Sequence, residues 1–146
     1  MAEYNGTTPY TENGYLIVSV SEADRAAPLQ GALVTIKGAD KENSGVIYAL
    51  RTDRNGRTER VALPAPIASA SMSPGGPRPY AQYNIEIDLQ DYFSQNNLNV
   101  PIFSGITAIQ SADLVPRSRD ENLYPLGDTR FYEGQNSYLG GSGNDA

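Results

Sequence analysis

The residue types that carry most protein chemistry are few in this chain of 146 residues. It has no cysteine and no histidine, which removes thiolate chemistry, disulfides, the commonest general base and the commonest metal ligand. Two carboxylates, Glu86 and Asp88, alternate with Ile85 and Ile87 and are therefore expected on the solvated face of a strand. A glycosidase pair needs one carboxylate in a pocket that raises its pKa, and nothing in the sequence indicates such a pocket.

A second group of oxygen ligands, Asp53-Arg54-Asn55-Gly56, is similar to part of a calcium-binding loop. A complete loop of that kind needs more oxygen ligands and a bidentate glutamate at a fixed distance. The same four residues are typical of a turn, because aspartate accepts hydrogen bonds from nearby backbone and Asn-Gly tolerates positive φ. We interpret them as a tight turn at which two strands meet, with no bound metal.

Serine is frequent, but no histidine and no suitably placed lysine is present to activate it as a nucleophile. Gly75-Gly76 lies in a proline-rich stretch and precedes no helix, so it is not a phosphate-binding loop. The sequence therefore predicts no catalytic residue, no cofactor-binding residue and no metal ligand. We expect the protein not to be an enzyme.

Charge and hydropathy restrict the partners and the location. The net charge is −6 and the pI about 4.5, which argues against nucleic acid and against an anionic membrane as the main partner. The first 13 residues lack the cationic flank and apolar core of a secretory signal, and no apolar run is long enough to span a bilayer. We expect a protein that is made in the cytoplasm, and that leaves it, if at all, by lysis, by an unusual route or within a larger particle.

Short strands and turns alternate through the middle of the chain, and no helical period persists. The clearest alternation is in residues 83–89, where every second residue is large and apolar. One further predicted strand begins at Gly14, and the others cover 32–37, 46–52, 58–63, 99–103 and 107–114. A short edge strand is predicted at 67–72, and loop or turn at 73–79 and 90–97. This pattern predicts an all-β fold, a single antiparallel β-sandwich of prealbumin-like or immunoglobulin-like type, over residues 14–116.

Two segments of different composition flank this domain, an N-terminal arm at 1–13 and a C-terminal extension at 117–146. The extension is polar and rich in glycine and asparagine, yet it carries more large apolar side chains than a solvated tail usually does. We interpret both segments as arms that dock on a neighbouring subunit, and a floppy tail is the alternative. The candidate interface residues are Tyr4, Tyr10, Tyr80, Leu123, Tyr124, Phe131, Tyr132 and Tyr138.

The ten tyrosines are the compositional feature that best suggests a contact function. Tyrosine provides rigid, amphipathic contact area that suits protein interfaces and glycan stacking. Tyr15, Tyr48, Tyr83 and Tyr92 are predicted in or beside the sandwich core. Tyr80 is the best single candidate for a contact made by a loop, and the alternative is that it orders its own loop.

Two motifs in succession resemble the carboxypeptidase-regulatory-like family. They are Pro28-Leu29-Gln30-Gly31-Ala32-Leu33-Val34 and Thr52-Asp53-Arg54-Asn55-Gly56. The resemblance implies a small prealbumin-like or immunoglobulin-like sandwich that serves as an accessory module without catalysis.

A closer resemblance is to the N-terminal domain of spore cortex-lytic enzymes. The stretches that carry it are Leu63-Pro64-Ala65-Pro66, Ser71, Pro74, Arg78-Pro79-Tyr80-Ala81-Gln82-Tyr83 and Val100-Pro101-Ile102-Phe103. It extends over residues 14–116, although Asp91-Tyr92 stands where that family tends to have Gly-Tyr. The peptidoglycan-binding and catalytic domains of those enzymes have no counterpart here, so no catalytic residue is carried over. Related domains occur in bacterial surface and phage-tail-like proteins.

Two functions are consistent with these observations. The first is a structural subunit that associates with copies of itself or with other subunits, through its arms, in a phage tail, a capsid or a spore-surface assembly. The second is an accessory module that binds peptidoglycan or another glycan. A hydrolase would require a site built from carboxylates alone, which the sequence does not display.

Overall fold

The computed structural model describes residues 9–67 and 78–117 in full, and the backbone of residues 129–133. In this part of the chain the strands are β1 (Glu12–Glu22), β2 (Ala27–Pro28), β3 (Leu33–Gly38), β4 (Ile47–Arg51), β5 (Val61–Ala65), β6 (Tyr80–Asp88), β7 (Ser94–Phe103), β8 (Thr107–Asp113) and β9 (Thr129–Glu133). One 3₁₀ turn, Lys41–Asn43, lies between β3 and β4. Within these ranges no helix is long and apolar enough to cross a bilayer.

The strands form two sheets, which confirms the prediction of an all-β sandwich. In the four-stranded sheet, β1 pairs antiparallel with β5 and β2 along one edge, and parallel with β8 along the other. The five-stranded sheet has the order β4-β3-β6-β7-β9, and its pairs are antiparallel apart from β7–β9. Each sheet is thus mainly antiparallel and gains one parallel strand from later in the chain.

The core lies between the sheets and follows from the period of two along each strand. The alternation is longest in β1 and β6. Their buried side chains are Leu16, Val18 and Val20 on β1 and Ala81, Tyr83, Ile85 and Ile87 on β6. Burial of a large aliphatic side chain stabilises the fold by about 1.5–3 kcal/mol. The Tyr83 hydroxyl donates to the carbonyl oxygen of Pro64 at 2.5 Å, so this tyrosine also links the two sheets.

The turn at Asp53–Gly56 forms as expected, but the two strands beside it do not pair with each other. Asp53 Oδ1 accepts from the amides of Asn55 at 2.8 Å and Arg57 at 3.1 Å, and these bonds hold the pKa of Asp53 below its ordinary value. Gly56 has φ +79°. The strand before the turn, β4, belongs to the five-stranded sheet, and the strand after it, β5, to the four-stranded sheet. Turn residues determine the local direction of the chain, whereas the packing of the core determines which strands pair.

The prediction of a turn over 90–97 was wrong in its second half, because β7 begins at Ser94. The inward-facing residues at the start of β7 are Gln95 and Asn97, both buried, and Gln95 Nε2 donates to Asn97 Oδ1 at 3.1 Å. Polar residues on the inner face hide the alternation that marks a strand. Most of the predicted edge strand at 67–72 and loop at 73–79 falls outside the described residues.

The four tyrosines predicted in or beside the core differ in their position. Tyr83 is fully buried, and Tyr48 and Tyr92 are partly buried against the core cluster. Tyr15 is different, because it alternates with the buried Leu16 and so lies on the outer face of β1. The guanidinium carbon of Arg60 is 4.3 Å from the centroid of the Tyr15 ring.

Candidate functional site

A buried carboxylate, Asp40, lies just after β3 at one end of the sandwich, with its side chain 4% exposed. Its Oδ1 accepts from Arg78 Nη2 at 2.9 Å, and its Oδ2 accepts from the Tyr10 hydroxyl at 3.0 Å and from the Gln82 amide at 2.9 Å. We call these four residues the Asp40 cluster. They join the segment before β1, the segment before β6, and β6 itself through one side chain.

The local sequence positions Asp40 by folding the 3₁₀ turn back on the end of β3. The Asp40 amide donates to Asn43 Oδ1 at 2.7 Å, and Asn43 Nδ2 donates to the carbonyl oxygen of Gln82 at 3.1 Å. The Ala39 amide donates to the same carbonyl at 2.9 Å. The turn approaches Gly38 so closely that a Cβ there would lie 1.9 Å from the Asn43 carbonyl oxygen. Asp40 is therefore held by the backbone on both sides.

The contacts in the cluster favour a protonated Arg78 and a neutral Tyr10. The hydrogen bond to Asp40 raises the pKa of Arg78, and this outweighs the opposite effect of partial burial. Partial burial raises the pKa of Tyr10 well above its ordinary value, and the hydrogen bond to Asp40 and the charge of Glu42 add to the increase. Because three donors already point at a carboxylate that is nearly inaccessible, this group is placed to join segments and not to meet a substrate.

The raised pKa of Tyr10 leads to a prediction about alkaline pH. Folding favours the neutral phenol, so its contribution to stability is complete below the ordinary tyrosine pKa of 10.0 and decreases as the pH rises above it. We expect the difference in unfolding free energy between the wild type and Tyr10→Phe to decrease above pH 10. Urea unfolding of both proteins at a series of pH values measures this. A difference that stays constant through that range would show that the Tyr10 phenol does not titrate differently in the two states.

An aromatic pair, half-buried Tyr80 and exposed Phe103, lies next to the cluster. The two residues are directly opposite each other on β6 and β7, with ring centroids 5.2 Å apart and planes tilted by 52°. The guanidinium carbon of Arg78 is 5.1 Å from the centroid of the Tyr80 ring. Phe103 is 38% exposed. Arg78 therefore connects the buried carboxylate to an accessible aromatic surface.

The structure brings two of the candidate interface residues to the same cluster. The Tyr10 hydroxyl bonds Asp40, and the Tyr80 ring lies beside Arg78, which is paired with Asp40. Phe131 and Tyr132 lie on β9, where they pair with Asn96 and Asn97 of β7. The remaining candidates, Tyr4, Leu123, Tyr124 and Tyr138, lie outside the described residues.

Sequence reasoning missed three residues of this region: Asp40, Arg78 and Phe103. Asp40 lies in a charged connection after a strand and has no local feature that distinguishes it from its exposed neighbours. Arg78 did offer a signal, because it lies two residues before β6, a strand that contains no positive charge. An arginine at that position is placed to pair with an acidic loop at the same end of the sheet.

The residues considered for metal or acid–base chemistry do not converge. In ranges 9–67 and 78–117, no three acidic side chains are grouped so as to hold a metal ion. Asp53 uses its carboxylate on turn amides, and the Asp88 carboxylate accepts a hydrogen bond from the Ser94 hydroxyl. Glu86 lies on the outer face of β6, half-buried beside Thr35 and Asn96 in register. The absence of cofactor and metal from the whole chain stays a prediction.

Comparison with known proteins yields a weak structural likeness and no family. No protein-family model matches the chain, and no curated protein matches it. Among solved structures the chain is similar to 3-chlorocatechol 1,2-dioxygenase from Rhodococcus opacus 1CP, with 23% sequence identity and a TM-score of 0.36. The alignment covers 68% of this chain and 48% of the dioxygenase chain. A likeness at this level carries no conclusion about activity.

Proposed function

We propose that this protein is a non-catalytic structural subunit that assembles through its terminal arms into a larger bacterial or phage particle. The observation that supports this most strongly is β9, a strand supplied by the C-terminal extension that pairs in parallel with the edge of β7 over five residues. Hydrogen bonds between strands are made by the backbone and do not depend on which copy supplies the strand. An extension that completes its own sheet can equally complete the sheet of a neighbour.

The length of the connection is compatible with such an exchange. Eleven residues, 118–128, separate the last fully described residue, Arg117, from Thr129 at the start of β9. Eleven residues can extend over at most about 40 Å, which is comparable to the width of a small domain. Strand exchange between adjacent subunits is a route to assembly that costs little free energy.

The N-terminal arm supports the same function from the other end of the chain. Tyr10, the residue two positions before β1, is tied to Asp40 and therefore gives this arm a fixed point of departure from the sandwich. An arm that leaves from a fixed point can make a specific contact at lower entropic cost than one that leaves from a mobile segment.

The test uses the full chain with proline in β9. Along a parallel strand, successive backbone amides point alternately to one side and to the other. One of the two variants, Phe131→Pro or Tyr132→Pro, therefore removes an amide that bonds β7, and proline disfavours strand geometry in both. We expect at least one of them to reduce the molar mass in solution, measured by light scattering, from an oligomer to a smaller species. The control is Phe131→Ala, which keeps the backbone donor. An oligomer of unchanged mass in both proline variants and in a chain ending at Pro116 would contradict the proposal.

A second candidate function, a glycan-binding accessory module, is favoured by the aromatic pair of half-buried Tyr80 and exposed Phe103. Aromatic rings accessible at the surface stack on sugar rings, and Arg78 beside them adds a donor for sugar hydroxyls or wall carboxylates. Sedimentation with purified peptidoglycan tests this, with Tyr80→Ala and Phe103→Ala as binding variants. Ile47→Ala, which removes an exposed apolar side chain from β4, is the control. No retention of the wild type would eliminate this function.

A further inference from the structure

The outer edge of β8 is unusually suited to pairing with another strand. β8 pairs in parallel with β1 over seven residues, from Thr107 to Asp113, with no break in register. Among the described residues no strand pairs with its other edge. Exposed edges in soluble proteins are usually protected by a charge, a proline or a bulge. The first six residues of β8 contain neither charge nor proline, and Asp113 is the first charged residue.

The other edge strands of the described sheets carry such protection. The outer strand β5 contains Pro64, which cannot donate to a ladder. β9 contains Arg130 and Glu133 within five residues, and β4 has only five residues and ends at Arg51. β8 is the longest of these edges and the least protected.

Exposed apolar side chains also lie at β8 and in the turn before it. Five large apolar side chains are exposed in the described residues, and two of them, Ile106 and Ile109, lie on β8 or in the turn before it, whereas Phe103 belongs to β7 of the other sheet. Ile109 is 42% exposed on the outer face of β8, in register with half-buried Ile17 of β1. Exposed apolar side chains beside an unprotected edge are typical of a surface that is covered in an assembly.

Charges at the two ends of β8 make this edge complementary to itself. At the beginning of the strand, Arg60 lies over the Tyr15 ring with Nη1 3.4 Å from Thr107 Oγ1. At the end of the strand, the exposed carboxylate of Asp113 accepts from the amides of Asp24 and Arg25 at 3.2 and 3.3 Å. An antiparallel pair of identical strands places the beginning of one beside the end of the other.

We propose that a second copy of this chain binds this edge, with the two β8 strands antiparallel about a two-fold axis at Gln110. In this register Thr107 is opposite the partner's Asp113, so Arg60 of each copy lies near an acidic group of the other. The two Ile109 side chains occupy diagonal positions on one face, where apolar pairs stabilise a sheet. The two four-stranded sheets become one continuous sheet of eight strands. This contact is separate from the arms and does not depend on β9.

The experiment compares the dimer dissociation constants of full-length variants by sedimentation and light scattering over a concentration series. Ile109→Lys places two positive charges near the axis, and we expect its dimer Kd to rise by about tenfold or more. Ile47→Lys is the matched control, because Ile47 is 43% exposed on an edge strand of the other sheet, and its Kd should equal that of the wild type. A wild type that stays at the monomer mass of 15.8 kDa, or equal Kd values for the two variants, would overturn the proposal.

A charge exchange tests the register. Arg60→Glu and Asp113→Lys should each weaken the dimer, and the double variant should bind more tightly than either single variant because the pair is restored in reverse. A double variant that is no tighter than the weaker single variant overturns the register centred on Gln110. Repeating the measurements in Phe131→Pro and in Tyr132→Pro, one of which removes an amide that bonds β7, separates the two contacts. Dimers that persist there and disappear with Ile109→Lys support the β8 contact even if the arms play no part in assembly.

Discussion

Replacing Asp40 by alanine is expected to lower the free energy of unfolding by about 3 kcal/mol. The change leaves the Gln82 amide without its acceptor at the start of β6 and releases Tyr10 and Arg78 from the sandwich. Arg78 adds little to this cost, because its side chain is 42% exposed and its charge becomes hydrated once the ion pair is lost. The loss therefore comes mainly from an unsatisfied buried donor and from the detached segments.

Two further variants separate the charge of Asp40 from its hydrogen bonds. In Asp40→Asn the amide oxygen can still accept from Tyr10 and Gln82, while the amide nitrogen faces Arg78, so we expect a smaller loss of about 1–2 kcal/mol. Asp88→Ala is the matched control, because this half-buried aspartate has one described hydrogen bond, from Ser94, and should cost about 1 kcal/mol.

Urea unfolding of the three variants measures these differences, and limited proteolysis identifies the released segments. Cleavage close to Tyr10 and Arg78 should become faster in Asp40→Ala than in Asp88→Ala. If the two alanine variants lose equal stability, Asp40 does not hold the arm and the β6 segment together. The N-terminal arm would then lack the fixed departure point that the proposed assembly uses.

The parts of the fold that the sequence predicted are those determined by short-range patterns. Alternation of large apolar residues identified β1, β3 and β6, because a strand with one buried face needs a period of two. The Asp53 turn was also predictable, since its hydrogen bonds lie within four residues of each other. In both cases the determining interactions are local.

Pairing between strands could not be predicted in the same way. The parallel pair of β1 with β8 joins residues about 90 positions apart, and nothing in either strand specifies the other. The beginning of β7 was missed because Gln95 and Asn97 occupy buried positions normally filled by apolar residues. Long-range pairing is decided by how the complete core packs, which a pattern in one segment does not contain.

The Asp40 cluster illustrates the same limit at the level of the site. Its three hydrogen bonds connect residues separated by 30, 38 and 42 positions. Tyr10 was selected as an interface residue because it lies outside the predicted domain, and the structure directs its hydroxyl to Asp40 within the same chain. Its ring is still only partly buried, so a contact with a second subunit would have to use the ring and not the hydroxyl.

Replacing Gly38 by alanine is expected to cost about 3 kcal/mol, the upper end of the range for overpacking. The backbone at Gly38 is not in the left-handed region, so the cost is steric and not conformational. The added Cβ would lie 1.9 Å from the carbonyl oxygen of Asn43 and 2.5 Å from its Oδ1. The Asn43 carbonyl and side chain cannot retreat freely, because they bond Val46 and Asp40.

Gly31→Ala provides the opposite case and serves as the control for Gly38→Ala. Gly31 has φ +84° and no atom within 4 Å of an added Cβ, so its variant should lose only about 1 kcal/mol from backbone strain. Urea unfolding gives both values, and an equal or larger loss for Gly31→Ala would contradict the steric explanation. Combining Gly38→Ala with Asp40→Ala extends the test, because a turn already displaced by the new methyl group no longer aligns Asp40 with its donors. The second substitution should then cost less than it does alone, and strictly additive losses would mean that the 3₁₀ turn does not position the carboxylate.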